Sequence, residues 1–457
     1  MRDAAHGITR RSLLKRGAIG ATVLAAAPLV AACASGPAAP TDTSARGAGS
    51  ATPAPPKEAT LRAIGLQGHP SWLATKELAK QFQQDSLRIT GGTSVTIEFS
   101  EFGGPEIIQK INADFEAKRG EYDITYINSA QSFGQWSEGS VVTALNSYMS
   151  SAWDFNDFIP IVRQISEKNG KTYGIPIMIE NRMLVYRKDV FDADGIAVPR
   201  TVDEMIAVAR RLTRTPERYG FTARTAAASS MGFDFLGWLY SYGGRIFDER
   251  YKATLTTPEA FTAVGKVLEI MKFAAPGANK SYGEITKDLQ NGTAMMANDV
   301  SIITPLLEDA RVSKFIGKFG YDVAPAGPKG PRPMVSGHML GIPELSRNKE
   351  TAWKFIEWIT AKERSKDWVL LGGAPLREGH FTNPEILAKY PQYTLIRKIL
   401  GEANPDYVPR IRPSLEVYAS ISRELSAAHA GQKSGEDALR AANTQVDEIL
   451  KRGGYQK

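Results

Sequence analysis

Ala59-Thr60-Leu61-Arg62-Ala63-Ile64-Gly65 is the first of three similar stretches whose spacing decides the fold. It reads as a β-strand, and Leu66 to Pro70 as its exit loop. Leu73, Leu78 and Phe82 then recur at helical spacing, which predicts a helix over 73–85. Val95-Thr96-Ile97-Glu98-Phe99 alternates as a second strand, 107–115 reads as a second helix, and Tyr122-Asp123-Ile124-Thr125-Tyr126-Ile127 is a third strand. Strands alternating with helices predict an α/β fold, a parallel sheet covered by helices on both faces. Ligands of such sheets bind beyond the carboxyl ends of the strands.

Further along, Thr201-Val202-Asp203-Glu204 is a capping box, in which hydroxyl and carboxylate satisfy opening amides reciprocally. Thr257-Pro258-Glu259 opens another helix with proline at its first position, and Phe261, Val264, Leu268 and Met271 form its apolar stripe. Ala352, Phe355, Ile356 and Ile359 form a second stripe, and Gly372-Gly373 stops the helical region. The folded part spans about 400 residues, more than one core of ordinary size holds, so two lobes are expected. Seven Trp, 18 Phe and 16 Tyr supply aromatic surface for cores and for ligand stacking. Trp136 and Trp153 are expected to pack or to stand at a lobe edge.

The start of the chain has a different character. Thr9-Arg10-Arg11-Ser12-Leu13-Leu14-Lys15 precedes an apolar run from Gly17 to Ala32, which is short for a spanning helix. Val30-Ala31-Ala32-Cys33 closes it with small residues before a cysteine. The order of charge, apolar run and small residues is that of an export signal over 1–32, and the arginine pair resembles the twin-arginine type. Val30 to Cys33 resembles a bacterial lipobox, which implies acylation of Cys33. The stretch 33–57 is dense in Ala, Pro, Ser, Thr and Gly and reads as a flexible tether from the lipid to the folded chain.

The formal charge of the whole chain is +7, from 56 basic and 49 acidic residues. Residues 1–32 hold five Lys/Arg and one Asp, so the remainder carries 51 against 48, a net +3. Most of the basicity belongs to the leader, and no nucleic-acid partner is expected. Cys33 is the chain's single cysteine, so no disulfide and no thiolate metal site is available. His69, His338, His380 and His429 show no metal-ligand spacing, and no metal or cofactor is expected. No Gly-x-Ser-x-Gly occurs. Gly431-Gln432-Lys433-Ser434 lacks the glycine that a phosphate loop places before lysine, and reads as a loop into a helix capped by Ser434. A glycosidase-like carboxylate pair is the catalytic alternative.

A set of segments in fixed order carries a resemblance. Gly174-Ile175-Pro176 precedes Met183-Leu184-Val185-Tyr186-Arg187-Lys188-Asp189-Val190-Phe191. Then come Gly195-Ile196, Pro199-Arg200-Thr201, Tyr242-Gly243-Gly244-Arg245-Ile246-Phe247-Asp248, and Asn291-Gly292-Thr293-Ala294-Met295-Met296. Ala324-Pro325-Ala326-Gly327-Pro328, Ser336-Gly337-His338 and Ala352-Trp353-Lys354-Phe355-Ile356-Glu357-Trp358-Ile359 follow. In this order they resemble the extracellular solute-binding proteins of sugar-type ABC importers, over nearly all of 58–457. The resemblance implies a two-lobed flytrap whose lobes close on a small carbohydrate or polyol, deliver it to ABC permease subunits, and catalyse nothing. It also implies crossings between lobes near 177–181, near 298–301, and in or just after a helix at 350–362. Lobe one would be 58–178 plus 300–356, and lobe two 179–299 plus 357–457. The protein would be a monomer, exported, facing the periplasm or cell exterior, and held to the membrane through its lipid alone. Capture of a non-sugar solute, or pairing with a sensor, are the alternatives.

A sugar needs aromatic faces and fork-like hydrogen-bonding side chains. Gln67 and His69 follow the first strand, Glu101 and Phe102 the second, and Asn128, Ser129 and Gln131 the third. By resemblance, Glu180 and Asn181 lie at the first crossing, Asn298 and Asp299 at the second. Trp238 and Tyr242 sit on a helix where the family offers a stacking aromatic. Gly337 and His338 lie on the returning segment, and Arg377 follows Gly372-Gly373. Maltodextrin-binding members carry an aromatic and charged residues after the third strand. Here Ile127-Asn128-Ser129-Ala130-Gln131 stands there, which argues against a long maltodextrin.

Overall fold

The computed structural model describes residues 57–226 and 230–456. The expected export signal, the expected acylation at Cys33 and the expected tether as far as residue 56 lie outside the described residues. The chain opens with β1 (Lys57–Leu66), α1 (Pro70–Thr90), β2 (Thr93–Phe102), α2 (Gly104–Glu116) and β3 (Ile124–Asn128), the expected alternation. Next come α3 (Phe133–Glu138), α4 (Pro160–Gln164), the two-residue strands β4 (Glu167–Lys168) and β5 (Lys171–Thr172), and the long β6 (Ile175–Arg187). The middle holds α5 (Lys188–Ala193), α6 (Val202–Leu212), α7 (Ser230–Tyr242), α8 (Pro258–Met271), α9 (Tyr282–Asn291), β7 (Met296–Val300), α10 (Ile303–Leu307) and β8 (Phe319–Val323). β9 (Val335–Gly341), α11 (Lys349–Ile359), α12 (Lys362–Leu370), α13 (Pro384–Lys389), α14 (Tyr393–Gly401), α15 (Ser414–His429) and α16 (Gly435–Arg452) complete it.

Local signals set several of these boundaries. Thr201 Oγ1 accepts from Glu204 N at 3.2 Å and Glu204 Oε2 accepts from Thr201 N at 3.1 Å, closing the capping box of α6. Ser434 Oγ accepts from Asp437 N at 3.0 Å and starts α16. The stripe of α11 is buried as spaced, with Ala352, Phe355, Ile356 and Ile359 all at 0 % exposure. The stripe of α8 is rotated slightly: Val264 and Met271 are buried, while Phe261 and Leu268 pack only partly against the core beside Ala260, Ala263, Val267 and Ile270.

The sheet runs β2-β1-β3-β9-β6-β7, with β8 also on β6. β1 is parallel to β2 and to β3, as expected. β9, β6, β7 and β8 are antiparallel to their neighbours, so the sheet is mixed rather than parallel throughout. The reason lies in β6. Its first half pairs with β9 as far as Asn181↔Val335; at Arg182↔Val300 it changes partner to β7. One strand thereby serves two halves of the molecule.

Hydrophobic packing follows the same division. One cluster joins Leu61, Trp72 and Phe82 with Ile177, Leu340, Phe355, Trp368 and Leu376. Ile107, Tyr126 and Trp136 form a smaller cluster on the other side of β1 and β3. Another large cluster joins Leu184, Phe235, Leu239, Val264, Met296, Phe319, Tyr418 and Leu439. These clusters draw the lobes differently from the expected 300–356 and 357–457 boundaries. Ile303, Leu307, Phe319 and Met334 pack with the later cluster, because β8 pairs with the second half of β6. Ile359, Trp368, Leu376 and Ile386 pack with the first, because α11 and α12 lie on α1. The second change of cluster, expected near 298–301, falls instead at Met334 and Val335, where β9 begins, and the third, expected in or just after 350–362, falls at α14. The chain passes back along α14, whose Ile396 and Leu400 face one cluster and whose Ile399 faces the other. No helix among the described residues is long and apolar enough to cross a membrane.

Candidate functional site

The point where β6 changes partner is a polar seam between two apolar cores. From the β1 side, Gly68 (φ +68) turns the chain and sets His69 just before α1, whose first residue is Pro70. His69 is 5 % exposed; its Nδ1 shares a 2.7 Å hydrogen bond with Ser71 Oγ, and its Nε2 finds no partner among the described residues. From the β3 side, Asn128 Oδ1 accepts from Ala130 N at 2.8 Å and Gln131 N at 3.1 Å, closing an Asx turn. Its Nδ2 then lies 3.4 Å from His338 Nε2. β9 delivers His338 in register with Asn128. Tyr126 Oη and His338 Nδ1 share a 2.5 Å hydrogen bond, and His338 Nε2 lies 3.6 Å from Glu180 Oε2.

Across the seam stands a network of fixed charges. Arg224 forks onto Asp299, Nε to Oδ2 at 3.1 Å and Nη2 to Oδ1 at 2.5 Å. Arg182 pairs with Asp234 of α7 and donates from Nη1 to Asn298 O at 2.5 Å. Each buried guanidinium is thus matched by an aspartate, which burial requires. Glu180 has no lysine or arginine ion pair among the described residues. Asn181 Oδ1 and Asn298 Oδ1 are buried without partners. Unsatisfied buried acceptors are costly and rare, and several at one place mark a site built for something else to fill.

Burial holds the His69 imidazole far below its ordinary range, at about 3; His338 adds to that effect and Glu180 opposes it. Burial pushes the Tyr126 phenol well up, and the Glu180 charge adds to it. On Glu180 itself burial presses upward but is outweighed by His338, His69 and Arg224, so the carboxyl titrates below its usual range. Burial raises Asp234 against the pull of Arg182 and Arg224, whereas at Asp299 the Arg224 fork overcomes burial and lowers it. At neutral pH the seam therefore offers one ionised carboxylate outside the ion pairs, a neutral imidazole at His69, a phenol and amide oxygens. That set suits a ligand with several hydroxyls.

The expected residues divide clearly. His69, Glu180, Asn181, Asn298, Asp299, Gly337 and His338 meet at the seam, together with Asn128 and Ser129. Ser129 Oγ accepts from Gly337 N at 2.8 Å, so it and Gly337 hold β9 against β3. Gln67 is exposed beside the seam's rim, and Gln131 is half-buried next to Gly104. Glu101 is tied to Lys76 at 2.8 Å, and Phe102 lies under Lys110, 4.3 Å from its ring centre. Trp238 corrects an expectation: it is 8 % exposed and belongs to the hydrophobic core with Phe235 and Leu239, because that face of α7 points inward. Tyr242 covers Gly327 at the far end of the same helix. Arg377 is also structural: it donates to Asp157 Oδ2 at 2.9 Å, Asp154 O at 3.0 Å and Thr360 O at 2.8 Å, over the Phe158 ring.

Sequence reasoning missed Tyr126, Arg182, Arg224 and Asp234. Arg182 had a readable signal, since Glu180-Asn181-Arg182 interrupts an otherwise apolar strand. Arg224 and Asp234 had none, because an ion pair between a loop and a helix leaves no spacing. Sequence spacing also gave no hint that His69, Glu180 and His338 converge, yet one ligand atom from each lies within 4.8 Å of the others. A cleft of about 1200 Å³ lies elsewhere, lined by Glu138, Lys168, Tyr240, Lys329, Asp406 and Arg410 among others. Four of its charged groups are paired, Lys168 with Glu138 and Arg410 with Asp406 at 2.7 Å, while Lys329 and Arg332 have no ion pair among the described residues. None of its lining residues carries an unpartnered buried polar atom, so the seam is the stronger candidate.

Residues 74–364 match the family described as bacterial extracellular solute-binding protein. The chain belongs to that family. It is a solute-binding protein and not an enzyme, and the family is an exported one. A Sinorhizobium fredii protein named "Probable amino-acid ABC transporter periplasmic-binding protein" is 22 % identical over 392 residues, covering 81 % of this chain and 86 % of its own. The mannitol-binding protein of Pseudomonas aeruginosa is 25 % identical over 374 residues, covering 76 % and 85 %. The crystal structure of an ABC transporter solute-binding protein from Agrobacterium radiobacter, in complex with ribitol, superposes with a TM-score of 0.76 at 25 % identity over 87 % of this chain and all of that one. The fold of this solute-binding protein is the two-lobed α/β architecture of such structures.

Proposed function

We propose that this solute-binding protein captures a small polyol or monosaccharide at the seam and delivers it to an ABC permease, held at the membrane by an acylated Cys33. The observation that carries the reading is the set of buried, unpartnered polar atoms on His69, Asn181 and Asn298 around an unpaired Glu180. A vicinal hydroxyl array supplies the donors and acceptors these atoms lack. The mannitol-binding relative and the ribitol complex support the same class. The amino-acid relative raises a second reading, but an amino acid brings an α-carboxylate that needs a free cation. Arg182 and Arg224 are already committed to Asp234 and Asp299, which favours a neutral ligand. Tyr282, 45 % exposed at the start of α9 and sensing the Glu180 charge, supplies the aromatic face that Trp238 does not.

The test is a thermal-shift and calorimetry screen of the chain carrying Cys33→Ser against polyols, monosaccharides and amino acids. Polyols or monosaccharides should raise the melting temperature and be recovered chemically unchanged by mass spectrometry. Stabilisation by amino acids with none by polyols or sugars would overturn the ligand class. Globomycin-type inhibition of lipoprotein processing, or Cys33→Ser in cells, should release the protein from the membrane fraction. Release is the outcome the anchor requires, and full retention would remove it.

A further inference from the structure

We infer that His69, Glu180 and His338 form a binding site for a divalent transition-metal ion of zinc's preferences. The inference goes beyond polyol capture and does not depend on it. The donor set is two imidazoles and one carboxylate, the nitrogen and oxygen ligands that zinc accepts at about 2.0–2.2 Å in tetrahedral sites. Two ligand atoms on such a centre stand about 3.4 Å apart by that geometry; His338 Nε2 and Glu180 Oε2 are 3.6 Å apart. The three ligand atoms lie within 4.8 Å of one another, so small side-chain rotations close the triangle.

The surroundings of the two histidines argue the point further than the triangle alone. Metal-bound histidines hold their second nitrogen in a hydrogen bond that fixes the ring and its tautomer. Both histidines here have that bond: His69 Nδ1 to Ser71 Oγ at 2.7 Å, and His338 Nδ1 to Tyr126 Oη at 2.5 Å. The nitrogen left over on His69 is Nε2, buried and without a partner. On His338 it is also Nε2, which faces Glu180, with Asn128 Nδ2 at a long 3.4 Å. Glu180 lacks a cationic partner of its own, whereas Asp234 and Asp299 each have an arginine. A cation bound by Glu180 neutralises the one seam carboxylate that has no arginine partner. With zinc on Nε2, the ring proton of His338 resides on Nδ1 and is donated to Tyr126 Oη. Three protein ligands leave a fourth position open toward the seam, as in sites where zinc also takes a small ligand.

The purified chain carrying Cys33→Ser, stripped with a chelator and dialysed, is titrated with zinc sulfate by calorimetry in the absence of any polyol. One zinc per chain should bind. Affinity should fall at least about tenfold in His69→Gln, His338→Gln and Glu180→Gln, and about 10–100-fold in Tyr126→Phe, which removes only the hydroxyl behind His338. His429→Gln, at an exposed position, should bind as the parent does. Cobalt(II) should give the intense visible absorption of a tetrahedral nitrogen–oxygen site, and this reading on the parent stands even where a variant fails to fold. No saturable zinc binding, or binding that survives all three ligand substitutions, overturns the inference. Polyol binding measured in the same chelator buffer tests the earlier reading separately, so either can fail alone.

Discussion

Trp238 and Glu180 show how a single residue's surroundings decide its role. A tryptophan at the end of a helix and a glutamate in a strand both look like sugar contacts in the sequence, yet one is core and the other is exposed to the seam. Trp238→Ala should therefore lower stability by about 3–5 kcal/mol, the range for truncating a buried aromatic, with ligand affinity of the folded fraction unchanged in calorimetry. Glu180→Gln should do the opposite: affinity for the polyol drops by about 1.5–3 kcal/mol, as for lost hydrogen bonds to a charged group, while the urea midpoint of the ligand-free protein stays near that of the parent. Arg377→Ala removes the partner of Asp157 and of two carbonyls, and should cost about 3–5 kcal/mol in urea unfolding. His380, whose Nδ1 accepts from Leu376 N at 3.1 Å, is held neutral: burial, with Arg377 adding to it, lowers it to about 4. The unfolded imidazole protonates below about 6.5. Its contribution is thus complete above that pH and is lost as pH falls from about 6.5 to about 4, by about 1.4 kcal/mol per pH unit. Urea titrations at pH 7 and pH 5 on the parent and on His380→Gln measure it; equal pH dependence in both would remove His380 as the cause.

At the scale of elements, strand and helix positions in the first lobe were readable because each carries its own periodicity. β1, α1, β2, α2 and β3 stand where the apolar spacing puts them, and the capping box of α6 and the Ser434 cap of α16 mark their starts. What periodicity cannot carry is pairing. β6 reads as one apolar strand, and only its neighbours reveal that Ile175 to Asn181 belong with β9 and Arg182 onward with β7. The placement of α7 depends on a similar contact. Gly232 lies so close to α15 that a Cβ there would meet Ser422 N at 2.9 Å and Tyr418 O at 3.0 Å, both backbone atoms. Gly232→Val should push α7 outward, cost about 1–3 kcal/mol as overpacking does, and draw Asp234 from Arg182, weakening ligand binding as well. Loss of stability with affinity intact would show that α7 moves without carrying the seam with it.

For the whole molecule, a ligand that binds only the folded chain links binding to folding. A polyol at a hundredfold excess over its dissociation constant should add about 2.7 kcal/mol to the unfolding free energy, measurable as a shift in the urea midpoint. Sequence alone was enough for the class of the chain: alternation of strand and helix, a folded length too great for one core, and an ordered set of segments are properties that local spacing carries. The lobe boundaries were not legible, since 300–334 joins the later cluster and 359–400 largely the first through contacts made by β8, α11 and α12. Nor was the site as a unit. His69, Glu180 and His338 lie on β1's exit, β6 and β9, and Arg224 and Asp299 come from a loop and a strand far apart in sequence. Each of those residues taken singly is an ordinary polar residue. Their burial, their unfilled hydrogen bonds and the unmatched charge on Glu180 exist only where the two cores meet, because burial and charge pairing are set by neighbours in space and not by neighbours along the chain.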